Sequence, residues 1–325
     1  MIDGGVRAVE THQAISGPIL MGGQLSYPQS VRSYGNVLPS VNAVWRVTPA
    51  LDLRAAASRT LSRPNPTALL PGISFTDPSA QIATRGNSDL KAYFSDNLDI
   101  GADLKTGRTG YISLALFQKK IRGFTFSSQL NETFSQLGIP YSQLTIPQQQ
   151  AITANGGPDV ARVIVNVPMN ADSLLTLRGL ELTWVQPLDL VRPGLGVTAN
   201  FTRLQPTYSG TTNLATGIAP YSYNLTAYYE RGLVSTHISY VYQAARQTLN
   251  APQNGLPVGL YALARGQLDL SAGLRVRWFD HPGKITLDAT NLTNAPYRMS
   301  FGYRNAPYSV YNPGFQVLVG WQGRF

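Results

Sequence analysis

The chain has 325 residues, of which 13% are charged and 43% hydrophobic, with a formal net charge of +9 and no cysteine. Soluble proteins carry about twice that share of charge. The absence of cysteine excludes disulfides and thiolate metal sites, and no apolar run approaches the ~18 residues of a membrane helix. A chain poor in charge but not greasy suits strands with one face in lipid and the other in water. Basic residues are scattered from Arg7 to Arg324, and Lys119, Lys120 and Arg122 form the only dense run. Nucleic-acid binders gather their charge on one face, so no nucleic-acid partner is expected. The start, Met-Ile-Asp-Gly-Gly, has neither a basic nor an apolar leader region, so no signal peptide is expected in this chain.

In chain order, the first predicted strand covers 3–14 and is followed by a long connection, 15–36. Strand 37–48 turns at Thr48-Pro49-Ala50 into strand 51–62, where Leu51, Leu53, Ala55 and Ala57 alternate with Asp52, Arg54 and Ser58. A long connection, 63–94, leads to strand 95–106, where Leu98, Ile100, Ala102 and Leu104 alternate with Asn97, Asp99 and Asp103. A short turn, 106–109, precedes strand 110–121, and the longest connection, 122–172, precedes strand 173–186. Strand 195–206 alternates through Leu195, Val197, Ala199 and Phe201. Strands 221–231 and 233–245 meet at Arg231-Gly232, and connection 246–264 follows. In strand 265–277, Leu268, Leu270, Ala272 and Leu274 alternate with Gln267, Asp269, Ser271 and Arg275. Strand 284–294, with Ile285, Leu287 and Ala289 opposite Asp288, is reached by the short stretch 278–283. Connection 295–310 then leads to the last strand, 311–325.

Alternate side chains of a strand face opposite sides, so each segment has one apolar and one polar face. The segments number about twelve and approach the roughly 9–11 residues that cross a bilayer at a tilt. Short connections alternate with long ones, as when periplasmic turns are short and extracellular loops long. The fold class is therefore all-β: an antiparallel transmembrane β-barrel of the outer membrane, with membrane lipid as its surroundings. Trp45, Trp184, Trp278 and Trp321 all lie at strand ends on the short-turn side, where indole rings favour the membrane interface. The last strand carries Phe315, Val317, Val319, Trp321 and the terminal Phe325 on one face. It resembles the sorting signal read by the barrel-assembly machinery, with Trp321 and Phe325 as its aromatic residues.

A run of short motifs resembles the β-barrel of TonB-dependent receptors. Ser62-Arg63-Pro64-Asn65-Pro66 and Leu70-Pro71-Gly72 resemble a loop of that family, and Arg85-Gly86-Asn87-Ser88-Asp89-Leu90-Lys91 resembles its "GNP-x-L-K-P" stretch. Phe117-Gln118-Lys119-Lys120-Ile121 is similar to "F-Y-K-x-I", Arg178-Gly179-Leu180-Glu181-Leu182 to "x-G-x-E-x", and Asn291-Leu292-Thr293-Asn294 to "N-L-T/F-N/D". The resemblance runs from about Val6 to Phe325 and is nearest to the branch that includes carbohydrate receptors. It implies that 1–325 is the C-terminal portion of a barrel of about 22 strands, with the signal peptide and plug domain lying outside this chain. It also implies active uptake of a scarce carbohydrate or siderophore-like ligand, energised by the TonB complex through the plug, with no cofactor.

Within that frame the polar strand faces carry Arg54, Asp99, Glu181, Asp269 and Asp288, expected to line the lumen and meet the plug. Asn65, Arg85, Asn87 and Tyr93 in one loop, and Tyr303 in the last, are the candidate ligand-binding residues; packing within the loops is the competing use. Two further readings compete. One is a self-contained passive pore of about twelve strands. The other is an outer-membrane phospholipase-like enzyme built on His237 and Ser239, which share a strand face. No catalytic residue is assigned and no metal-ligand spacing is present.

Overall fold

A computed structural model of the protein describes every residue except 18, 22, 23, 28, 71, 76, 108, 211–214, 254, 255, 279, 280, 304, 324 and 325. One antiparallel sheet of 12 strands dominates, and its strands follow one another in chain order. They are β1 (Ile2–Ser16), β2 (Gln29–Arg46), β3 (Leu51–Ser62), β4 (Tyr93–Lys105), β5 (Tyr111–Arg122) and β6 (Leu174–Pro187). The second half comprises β7 (Leu195–Ser209), β8 (Tyr221–Arg231), β9 (Val234–Gln243), β10 (Arg265–Trp278), β11 (His281–Thr290) and β12 (Gln316–Gly323).

The register turns the sequence alternation into two faces. Ile100 pairs with Ala55 and Leu116, and Leu116 with Leu180. Across the sheet Leu182, Phe201 and Tyr223 continue that face, as do Ile238, Leu270, Ala289 and Val317 farther on. Many of these apolar side chains are exposed, among them Ile100, Leu116, Ile238 and Val317. Exposure of so much apolar surface in water is unfavourable, and the face is accordingly a lipid-contacting one. Trp45, Trp184 and Trp321 stand on it at the short-turn end. The opposite, polar face holds ion pairs such as Arg54 Nε to Asp103 Oδ2 at 2.6 Å.

Several boundaries differ from the sequence reading. The expected connection 15–36 is mostly strand, because β1 and β2 run on as a paired ladder up to Ser16↔Gln29. Strand 284–294 starts at His281 and stops at Thr290, because Asn291 takes φ 56° and turns the chain. The last predicted strand is split: Pro307–Tyr311 joins a loop sheet, and β12 begins only after Gly314 at φ 73°. Among the described residues β1 and β12 form opposite edges of the sheet and do not pair. A closed pore of twelve strands requires that pairing, since bare edges in lipid leave N–H and C=O groups unsatisfied.

The connections expected as irregular loops are instead built. Connections β3–β4 and β5–β6 fuse into a second sheet in which Arg162–Asn170 lies between Thr125–Thr133 and Ile82–Arg85. Its core contains Phe134, Ile152, Val163 and Val165. The helix Ile146–Ala154 covers this core with Ile152, and a capping box of Thr145 and Gln148 starts it. Connections β9–β10 and β11–β12 build a third sheet from Arg246–Gln253, Leu256–Ala262, Tyr297–Phe301 and Pro307–Tyr311.

Candidate ligand-binding site

The third sheet and the polar face of β7–β10 enclose an open cleft of about 740 Å³. Three arginines reach it from separate chain segments: Arg246 after β9, Arg265 at the start of β10, and Arg298 in the last loop. The Arg265 guanidinium stacks on Tyr297, 4.0 Å from the ring centroid, and its Nε donates to Ala295 O at 3.2 Å. Stacking fixes the guanidinium plane and leaves its remaining N–H groups for a partner. Arg246 donates to the Gln243 side chain. Asn200, Asn224 and Gln267 line the wall side of the cleft. Asn224 Oδ1 is buried and accepts no hydrogen bond among the described residues. None of the three arginines forms an ion pair with a described carboxylate, so the cleft is cationic with amide groups around it.

The residues expected on polar faces share the polar face of the sheet. Arg54 pairs with Asp103 and donates to Ser113 Oγ at 3.3 Å. Asp288 accepts from Ser271 at 2.7 Å. Asp269 accepts from Gln267 Nε2 at 2.8 Å and from the backbone of Asn291 at 2.8 Å. Asn291 in turn donates to Gly314 O at 2.7 Å, so this group ties the last loop to the wall. Register puts Asp99 opposite Ala56 and Phe117, and Glu181 opposite Ala115 and Thr202; neither makes an ion pair among the described residues.

The loop candidates are committed to loop architecture. Asn65 accepts from Thr67 N at 3.1 Å and caps a short 3-10 turn. Arg85 grips Glu132 through both terminal nitrogens, at 3.2 and 2.9 Å. Asn87 donates to Pro168 O at 3.0 Å and accepts from Asp89 N at 2.8 Å. Gly86 between them cannot carry a Cβ, which would lie 1.9 Å from Leu70 O. Tyr93 packs against the buried cluster of Phe124, Ala171 and Leu175. Tyr303 is broadly exposed and Asn65 is exposed as well, whereas Arg85, Asn87 and Tyr93 are half-buried. Phe325, half of the expected assembly signal, lies outside the described residues.

A family model described as TonB-dependent receptor-like β-barrel matches residues 1–294. The chain belongs to the TonB-dependent receptor β-barrel family. Its wall is accordingly that of an outer-membrane protein, and the family is one of receptors, not enzymes. No curated protein sequence matches the chain. Among solved structures, a double mutant of the ferric enterobactin receptor of Pseudomonas aeruginosa is similar at TM-score 0.60 and 17% identity, over 98% of this chain and 45% of that one. The ferric-catecholate import receptor of Escherichia coli K12 is similar at TM-score 0.67 and 14% identity, over 99% of this chain and 42% of that one. The iron transporter FrpB of Neisseria meningitidis is similar at TM-score 0.59 and 16% identity, over 98% of this chain and 41% of that one. These identities carry the fold alone, and the chain spans less than half the length of each.

Membership in the receptor family fits the geometry of His237 and Ser239. Both side chains lie on the polar face, but His237 Nε2 is 2.9 Å from Glu230 Oε1, while Ser239 Oγ is 2.9 Å from Thr226 Oγ1. No hydrogen bond joins His237 to Ser239 among the described residues, so a base poised on a nucleophile is missing. The cleft arginines escaped the sequence reading. Each sits singly at a strand end, and only the folded loops bring them together.

Proposed function

We propose that this chain forms the C-terminal part of the wall of a TonB-dependent importer and supplies several of its ligand-capturing loops. The ligand is an anionic chelate of the siderophore type, held first in the cleft of Arg246, Arg265 and Arg298. The observation that carries this reading is the convergence of three arginines, without described acidic partners, in a cleft open to the polar face. Guanidinium groups favour carboxylate, phosphate and catecholate oxygens, and a neutral sugar gives them no charge to neutralise. The anionic alternative is thereby preferred to a carbohydrate.

In this reading Arg54, Asp99, Glu181, Asp269 and Asp288 face the lumen, where a plug domain outside this chain sits and couples to TonB. Asn65, Arg85, Asn87 and Tyr93 act by holding the loop module in shape, and Tyr303 offers an exposed ring to the ligand. Trp321 with Phe325 serves the barrel-assembly machinery, and the apolar face meets outer-membrane lipid.

The test is equilibrium binding to the full-length receptor by calorimetry, with a ferric catecholate and a neutral oligosaccharide as probes. Hydrogen bonds to charged groups contribute about 1.5–3 kcal/mol each, so Arg265→Gln is expected to weaken chelate binding by ~10-fold or more. Binding of the oligosaccharide alone, with no effect of Arg265→Gln, contradicts the proposal.

A further inference from the structure

The apolar face of the wall is not uncharged throughout. Register places five basic residues of β3–β7 on it: Arg59, Lys120, Arg122, Arg178 and Arg203. Arg59 lies opposite Asp96, and Asp96 opposite Lys120. Arg122 pairs with Phe94 and Leu174, and Arg178 pairs with Gln118 and Gln205. Arg203 pairs with Leu180 and Tyr221. All five are in phase with Leu98, Ile100, Leu116 and Leu180, the lipid-facing series, and all five are exposed. Arg59, Lys120, Arg122 and Arg178 lie in the long-loop halves of their strands, and Arg203 faces Tyr221, the first residue of β8, whereas Trp45 and Trp184 mark the short-turn end.

Their height is set by their neighbours. Tyr221 stacks on Tyr242 at 5.8 Å between centroids, and Tyr223 stacks on Tyr242 at 5.0 Å. This tyrosine cluster lies on the same face and forms part of an interface girdle of the kind that flanks the lipid-facing band of a barrel. Arg203 is directly paired with Tyr221 and so stands beside this girdle, and the register sets Arg59, Lys120, Arg122 and Arg178 nearer the long loops than Arg203, toward the outer headgroups. Within this basic group Asp96 is the one acid: Arg59 Nε lies 2.6 Å and Arg122 Nη1 3.0 Å from its carboxylate. Arg178 Nε donates to the neutral Gln118 at 3.0 Å. Five cations against one carboxylate leave a net positive band where the wall meets headgroups.

We propose that Arg59, Lys120, Arg122, Arg178 and Arg203 bind the phosphate groups of lipids in the outer leaflet. A cation on a lipid-facing strand is tolerated only near an interface, where its long side chain reaches the headgroups. Guanidinium forks match phosphate oxygens in pairs. The site requires the outer-membrane wall but is independent of which ligand the receptor imports.

The test uses the full-length receptor purified from outer membranes in mild detergent, with retained lipid measured by native mass spectrometry. Wild type is expected to carry phosphorylated lipid. The variant Arg59→Gln/Lys120→Gln/Arg122→Gln/Arg178→Gln/Arg203→Gln is expected to retain on the order of ten-fold less. Arg275→Gln/Lys284→Gln, which removes charge from the polar face, is expected to retain the wild-type amount. If the fivefold variant does not fold, as judged by heat-modifiable gel mobility, Lys120→Gln/Arg178→Gln is compared in its place and should show a smaller loss. Equal phosphorylated lipid in wild type and the outer-face variant overturns the proposal, as does equal retention of lipid stripped of its phosphates. A wild type that binds inorganic phosphate but retains no phosphorylated lipid also overturns it.

Discussion

The loop module and the wall put the same kinds of side chain to opposite uses. In the module Val163, Val165 and Phe134 are shielded from solvent, Phe134 to 1% exposure. In the wall Ile100, Leu116 and Ile238 stay on the surface, and Ile100 is 52% exposed. The module stands in water and is held together by burying apolar surface. The wall stands in lipid, where apolar contact with a neighbour gains little over contact with an acyl chain. Its cohesion comes from the continuous backbone ladder, whose N–H and C=O groups have no water to turn to. One chain therefore contains an inside-out sheet and an ordinary one, stacked end to end.

The sharpest way to separate the two regions is to cut into the module's core. Phe134→Ala removes a ring that packs against Phe75 at 6.2 Å and Tyr141 at 6.1 Å between centroids. It is expected to cost the module about 3–5 kcal/mol. Hydrogen exchange should report this as lost protection over 125–133 and 162–170, while β4–β6 keep theirs.

The converse experiment breaks the wall. Leu116→Arg puts a charge on the lipid-facing side in the middle of β5, where the expected cost is about 2–4 kcal/mol at the membrane midplane and falls toward the interface. Thr183→Arg, on the polar face opposite Ser113 and Asn200, is expected to assemble far better. The fraction of receptor that reaches the outer membrane in folded form compares the two.

A smaller effect concerns pH. Burial pushes the Asp77 carboxyl up, but hydrogen bonds from Ser79 and from the backbone of Gln81 and Ile82 outweigh this and hold it below the ordinary 3.8. The anion is thus favoured in the folded module, and its contribution is present above the ordinary value and lost as pH falls through the lowered one. Module protection is expected to be flat above about pH 5 and to decline in strong acid. Asp77→Asn should remove that part of the decline.

The wall was legible in the sequence because its physics has a period. Lipid on one side and water on the other force alternation, as in Leu98 to Leu104, and a single chain shows it directly. The module is legible in the sequence only in parts. Val163, Val165 and Val167 alternate as a half-buried strand does, and Thr145 with Gln148 is a helix-start signal. What hid the module is that its segments pair across connections: Arg162–Asn170 takes Ile82–Arg85 as a parallel neighbour from another loop. Arg85 stood out as a polar loop residue, but its partner Glu132 is 47 positions away. The cleft arginines are separated in the same way, and no local pattern marks them.

The central claim is that the two faces of the wall see different media. The chain contains no cysteine, so single cysteines can be placed along Asn97–Leu104 of β4 without background from this region. In the full-length receptor embedded in outer membranes, a water-soluble thiol reagent should label positions 97, 99, 101 and 103 and spare 98, 100, 102 and 104. A plug that shields the lumen lowers the labelled set but leaves the period of two intact. Uniform labelling, or labelling in the opposite phase, contradicts the account.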